Sequence, residues 1–311
     1  MPPKLLNLEA ALQSNTTLSE ISKKNYAAKI RALSSRAEKP IKYIITHPDV
    51  YIPLIQEWYP NPTSYKSHYS TILSLFRYNP SFKAKNMSHV EKWASSFRGA
   101  DDEVNKRYES NEPSVKQTAG YVPYSEIVKA RDELPIGHIH RLLLGCYTYV
   151  KPLQCEYGRV AIYKSRVPTD DTIEPNYILF DDDKATLFIS KFKTQKHHDS
   201  FRIVLPDPLI KDLSASLEEV PRNWLFENAN GDPFGSSQFS KWASKVFLKL
   251  FNRPLTVSLI RHSFINELDF NTMSIVDKKE IATSMGHTVA MQDKYRLLFK
   301  NKECDCECTK V

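Results

Sequence analysis

The sequence predicts an α+β protein, mostly α with a small antiparallel β-sheet. Three observations predict it. Apolar residues recur at helical spacing through about the first 110 residues, four short β-rich runs cluster between about 159 and 206, and helical patterning resumes after Pro206. With 311 residues, 41% of them hydrophobic, the chain can bury a sizeable core and divide into two domains.

In the first part, Thr17-Leu18-Ser19-Glu20 reads as a capping box, in which a hydroxyl accepts an orphan N–H and the glutamate reaches back. The helix it opens has Ile21, Tyr26, Ile30 and Leu33 as its core face, and Lys23, Lys24, Lys29, Arg31 and Arg36 as its charged residues. A second helix starts near Thr63-Ser64, where Tyr65, Tyr69, Ile72 and Phe76 form one buried stripe. Lys66, His68 and Arg77 fall off that stripe and read as a basic, solvated face. Residues 99 to 119 are polar and without clear period, which places a linker toward their end. The expected division is a helical domain over 1–112, a mixed domain over 113–299 and a Cys-rich charged tail over 300–311.

The mixed domain opens with Ser125 as the expected N-cap of one helix, followed by a mostly apolar helix from His138 to Val150. The β-rich runs are Val160–Tyr163, Asn176–Phe180, Thr186–Ile189 and Phe201–Leu205, with Asp181–Lys184 and Gln195–Ser200 as turns. Helices are then expected over Leu209–Leu217, Ser236–Phe251, Thr256–Leu268, Lys278–Met285 and Ala290–Leu298.

The formal net charge of +7 suits a polyanionic partner. No run of about twenty apolar residues predicts a membrane span, and the N-terminus lacks the apolar core of a signal peptide. Five cysteines make no disulfide framework: Cys146 and Cys155 read as reduced core residues, and an intracellular setting is expected. Cys304, Cys306 and Cys308 alternate in the tail, which reads as disordered, with soft-metal binding, intermolecular disulfides or lipid attachment as alternatives. His138-Ile139-His140 lacks a partner cluster for a metal, and no Gly-rich phosphate loop or cofactor fingerprint occurs. Neither metal nor cofactor is therefore expected, and a small-molecule enzyme is disfavoured.

The chemistry gathers in the last quarter of the chain, at Arg261, His287 and Tyr295. An arginine can clamp a phosphate, a histidine can move or share a proton, and a tyrosine can attack phosphorus once neighbouring cations help it ionise. Leu255-Thr256-Val257-Ser258-Leu259-Ile260-Arg261-His262-Ser263-Phe264 and Met285-Gly286-His287 followed by Tyr295 resemble the two C-terminal boxes of the tyrosine recombinases, the phage-type integrase family, in the style of its viral and mobile-element members.

That resemblance implies a helical core-binding domain and a catalytic domain that together clamp double-stranded DNA. It implies a homo-tetramer on DNA and site-specific cutting and rejoining through a covalent 3′-phosphotyrosine, without ATP, metal or small-molecule cofactor. Tyr295 takes the place of the nucleophile, eight residues after His287 where nine is usual in the family. Arg261 and His287 would hold the scissile phosphate. Lys193, in Lys191-Phe192-Lys193-Thr194, takes the place of the β-hairpin lysine that protonates the leaving oxygen, with Lys191 and Lys196 as competitors.

Two positions depart from the family's pattern. Ser258 stands where box II has a histidine, and Gln154, in Pro152-Leu153-Gln154-Cys155-Glu156-Tyr157, stands where an arginine is expected. Glutamine keeps a donor but loses the charge and the bidentate fork, and removing one transition-state donor costs about 2.7–4 kcal/mol. Lys151 or Arg159 could replace the missing cation in space. The rival readings are a DNA-binding or architectural protein on the same fold, favoured by Gln154 and Ser258, and a type IB topoisomerase, for which no extra clamp domain is present.

Overall fold

A computed structural model describes residues 8–165, 173–192, 195, 200–270 and 272–299. The chain divides into two compact units, Met1–Ser110 and Asn111–Val311. The predicted class is borne out: helices dominate, and one four-stranded sheet lies in the second unit.

Unit 1 comprises α1 (Leu8–Gln13), α2 (Glu20–Ala37), α3 (Ile41–Ile45), α4 (Pro48–Trp58), α5 (Pro62–Arg77), α6 (Pro80–Ala84) and α7 (Met87–Glu109). Tyr65, Tyr69, Ile72 and Phe76 of α5 are buried as their spacing requires. Opposite them Trp93 of α7 is fully buried, with its indole N–H donating to the Ile45 carbonyl at 2.9 Å, and the Tyr69 hydroxyl donates to Ile52 at 3.1 Å. Each aromatic thus buries its ring without stranding its polar atom.

Three expectations change in this unit. The cap of α2 is Ser19, whose side chain accepts from the Ser22 N–H, whereas Thr17 is held by Asn15 Oδ1, so no capping box forms at Thr17. Ile21 is 73% exposed, and only Ile30 and Leu33 of its expected face are fully buried. His68 is buried, its ring stacked 4.0 Å from that of Tyr59. It lies three residues after Tyr65, within the width of a core-facing stripe. The unit stays helical to near its end, with α7 running through Glu109. Its late core contacts are Ala100 and Val104, four residues apart and small, which leaves the helical period faint among the charges around them.

Unit 2 opens with α8 (Val115–Gly120), which Ser114 and Gln117 start with a reciprocal capping box. Gly120 closes α8 where a Cβ would lie 2.5 Å from the Pro254 carbonyl oxygen, so the backbone approach there admits only glycine. There follow α9 (Tyr124–Glu133), α10 (Ile139–Thr148) and a 3₁₀ turn at Glu156–Arg159. The cap of α9 is Pro123, one turn-start earlier than the expected Ser125. The His138 side chain caps α10, its Nδ1 accepting from the His140 N–H at 3.1 Å.

The sheet order is β1 (Ala161–Lys164), β2 (Asn176–Asp181), β3 (Lys184–Ile189), β4 (Phe201–Val204). It is not wholly antiparallel: β1 pairs with β2 in parallel, Ala161 opposite Tyr177, while β2–β3 and β3–β4 are antiparallel. The long connection from Lys164 to Asn176 permits this, whereas the β2–β3 turn, with Asp182 at φ 51°, is a tight hairpin. After the sheet come α11 (Asp207–Glu219), α12 (Ser236–Phe251), α13 (Val257–Glu267), α14 (Ile275–Ser284) and α15 (Val289–Asp293). The last helix stops short of the expected span, so Tyr295 lies in the turn beyond it. Leu142, Leu143, Ile178, Leu187, Phe239 and Phe247 belong to one core that joins the sheet to the helices, and Ile265, Phe270, Ile281 and Met285 form a smaller one under the C-terminal segment.

Burial, with the Lys29 charge adding to it, pushes the His68 imidazole down to about 4. The unfolded chain then binds a proton between about pH 6.5 and 4 that the folded chain refuses. This contribution to stability is complete above the unfolded value and is lost as pH falls toward the folded one, by on the order of 2–3 kcal/mol. Urea midpoints at pH 7.5 and pH 5 should therefore converge in His68→Phe relative to the wild type, and equal pH slopes would contradict the assignment.

Candidate active site

Helix α13 is set by Thr256, whose side chain accepts from the Leu259 N–H at 3.2 Å, directly after the Pro254-Leu255 entry. Seven of its eleven residues are buried, and Arg261 among them is 0% exposed. Its guanidinium donates through Nη1 to the Pro152 carbonyl at 3.1 Å and through Nη2 to the Met285 carbonyl at 2.9 Å, while Nε has no partner. No carboxylate among the described residues pairs with it. A buried cation without an acid is costly, and the site keeps it with two main-chain dipoles.

The Met285 carbonyl is presented by the end of α14. Gly286 adopts φ 70°, its N–H bonding Thr283 O at 2.9 Å and the next N–H, of His287, bonding Ala282 O at 3.0 Å. This is the Schellman termination, and it turns His287 inward, where it is 7% exposed. Thr288 then caps α15, and the Tyr295 N–H bonds Gln292 O at 2.9 Å.

The Tyr295 ring meets three groups. It stacks on His287 at 5.3 Å and 22°, lies 4.7 Å from the His262 ring, and has the Arg261 Cζ 5.1 Å from its centroid. The three residues singled out in the sequence are thus neighbours.

Two residues that sequence reasoning did not single out hold this segment. His262 bonds through Nδ1 to the Tyr295 carbonyl, so Nδ1 carries the proton and Nε2 is left as acceptor toward Gln117 at 3.5 Å. Burial lowers the His262 pKa, the Tyr295 carbonyl opposes that and the Arg261 charge adds to it, which agrees with a neutral ring. Asn266 donates to Leu297 O at 2.9 Å and accepts from Leu297 N at 2.8 Å. His262 and Asn266 are four apart on α13, a spacing that puts both on one face, and that was the available signal. Gln292, one turn before Tyr295, is fully buried with both amide atoms unpartnered.

The remaining expected positions lie around this centre. Gln154 lines a small cleft with Leu153, Glu156, Phe192, Phe201, Met285 and Gly286, and its main-chain carbonyl accepts from Tyr147 at 2.7 Å. Ser258 is exposed, three residues before Arg261 on the same helix. Lys193 lies outside the described residues, as do Cys304, Cys306 and Cys308. The base of its hairpin is fixed by the buried Asn176 side chain, which bonds Ser190 N, Lys191 N and Lys191 O. Among the described residues no group of three or more His, Cys, Asp or Glu could hold a metal ion. No described helix is long and apolar enough to cross a membrane.

The two-unit fold, mostly helical with a small four-stranded sheet in the second unit, is like that of solved integrase structures. Solved structures carry the likeness. A lambda integrase dimer bound to a COC′ core site matches with a TM-score of 0.53 at 17% identity, over 93% of this chain and 74% of that one. A second such dimer gives 0.53 at 16%, over 97% and 96%. A lambda integrase tetramer bound to a Holliday junction gives 0.53 at 17%, over 94% and 77%. At these identities the likeness is one of fold. No protein-family model and no curated protein matches the chain.

Removing the Asn266 clamp costs two hydrogen bonds, about 1–3 kcal/mol in all. Asn266→Ala should raise amide exchange at Leu297 at least about tenfold while leaving α5 unchanged. Unaltered protection at Leu297 would show that the segment is held by other contacts.

Proposed function

We propose that the chain is a site-specific DNA recombinase or integrase that breaks and rejoins double-stranded DNA through a covalent 3′-phosphotyrosine at Tyr295. The observation that supports this most is the arginine without an acid: Arg261 is 0% exposed, bound to carbonyls, and covered by the Tyr295 ring. A phosphate is the anion whose geometry a guanidinium fork matches. In the reaction the Tyr295 oxygen attacks phosphorus, its proton passing to water, and the P–O5′ bond breaks as the new P–O bond forms. Arg261 and His287 take up charge on the non-bridging oxygens, with Gln154 and Ser258 as neutral donors. Lys193 protonates the departing 5′-oxygen. The bond made and the bond broken are both phosphoesters, so rejoining is the same step reversed and needs no cofactor.

On this reading unit 1 is the DNA-clamping domain, unit 2 the catalytic domain, and the working assembly a homo-tetramer on DNA inside the cell. Neutralising phosphates releases counterions, so duplex binding should weaken steeply with salt. A second reading is a DNA-binding protein on the same fold that no longer cuts. It is favoured by Gln154, an uncharged side chain beside Gly286, and by the exposed Ser258.

The test is covalent capture from a pool of nicked duplexes of randomised sequence. Wild-type protein should yield a denaturant-resistant DNA adduct that Tyr295→Phe abolishes. Gln154→Arg should accelerate it, by at most about a hundred- to a thousand-fold, the worth of one transition-state donor. Duplex binding without adduct after repeated selection, indifferent to Tyr295→Phe, would replace the first reading with the second.

A further inference from the structure

We propose that Lys151 is the second cation of the phosphate site, kept in place by Glu280 and transferred to a DNA phosphate, where it supplies the charge that Gln154 lacks. The inference rests on the recombinase reading above and assigns the residue that completes its site.

Two cations cross-link the same pair of segments. From inside, Arg261 joins the Pro152 carbonyl to the Met285 carbonyl at the end of α14. From outside, Lys151, the residue next to Pro152, places Nζ 3.0 Å from Glu280 Oε1 on α14. The Pro152 carbonyl fixes how far Lys151 can lie from Arg261, and a lysine stem is long enough to bring its ammonium to an anion seated on the guanidinium. Arg261 is wholly buried and Lys151 is 34% exposed, so the pair forms an inner and an outer charge at one junction.

The need for a second charge is electrostatic. Charge on the non-bridging oxygens of a phosphoryl-transfer transition state is matched by preorganised donors. Gln154, in the cleft beside Gly286, contributes only a neutral amide. On this proposal an incoming phosphate oxygen replaces the Glu280 carboxylate at the Lys151 ammonium. Its side chain is 72% exposed, and an exposed ion pair holds weakly, so exchange of carboxylate for phosphate is easy. Arg159, the alternative cation, is committed elsewhere. It grips Glu174 through Nε at 3.1 Å and Nη2 at 3.0 Å, and that carboxylate is only 23% exposed.

The experiment uses the full chain on a nicked duplex obtained by covalent capture from the randomised pool. Lys151→Met should slow adduct formation by about ten- to a hundred-fold, and Lys151→Arg should restore most of the rate. Glu280→Gln, which breaks the same ion pair but frees the ammonium, should react at least as fast as wild type. If the pair served only to brace α14, Lys151→Met and Glu280→Gln would lose rate and thermal midpoint alike, and that result overturns the proposal. A wild-type rate in Lys151→Met overturns it while leaving the recombinase reading intact. Failure of the wild type to form any adduct removes the reading and the proposal with it.

Discussion

The contact between the Arg261 guanidinium and two main-chain carbonyls, Pro152 and Met285, organises the C-terminal half of unit 2. Taking a guanidinium out of water is expensive, and with no carboxylate paired to it among the described residues the protein meets that cost only in part, through dipoles. The carbonyls must therefore be held still. Pro152 lies in a segment whose next anchor is the fully buried Tyr147, donating to Gln154 O, and Met285 is the C-cap of a helix ended by a left-handed glycine. Both flanking structures are stiff because the charge between them tolerates little movement. On the recombinase reading, the uncompensated part of that charge is what would draw a phosphate to the place.

The same helix that carries the cation also carries the tyrosine segment. His262 and Asn266 bond Tyr295 O and both polar atoms of Leu297, so one turn of α13 sets the main chain on either side of Arg296. Against this stands the segment leading in. The five-residue α15 is too short to be stable alone, and Gln292 within it buries an amide with neither atom paired. The chain before Tyr295 is thus docked at a cost, while the chain after it is clamped.

How much of this was legible in the sequence depends on whether the signal was local. Gly286 was legible, because a glycine after an apolar run has one usual meaning, and the Schellman bonds are the expected ones. Arg261 was legible because a charge flanked by Leu259, Ile260 and Phe264 has little chance of being solvated. The class of fold followed from two periodicities. What escaped was non-local or faint. The parallel β1–β2 pairing joins strands eleven residues apart in sequence, a partnership no local pattern announces. His68 reads as solvent-facing on a narrow stripe, yet it lies within the width of the buried face. The roles of His262, Asn266 and Asn176 depend on partners 14 to 33 residues away, which no window of sequence brings together.

The two departures at the site, Gln154 and Ser258, differ in physical weight. Ser258 is exposed on the first turn of α13, where a hydroxyl can donate to a phosphate oxygen much as an imidazole N–H would, losing mainly the option of positive charge. Gln154 is partly buried in a cleft lined by Leu153, Glu156, Phe192, Phe201, Met285 and Gly286, where a full charge would count for more than it does at the open surface. The glutamine is therefore the larger electrostatic deficit. It also falls in a segment that already bonds Arg261 through Pro152 and ends one side of an ion pair at Lys151. A deficit of one charge, at a position three residues from a cation whose carboxylate partner is mostly in water, is one that the local chain has the means to offset.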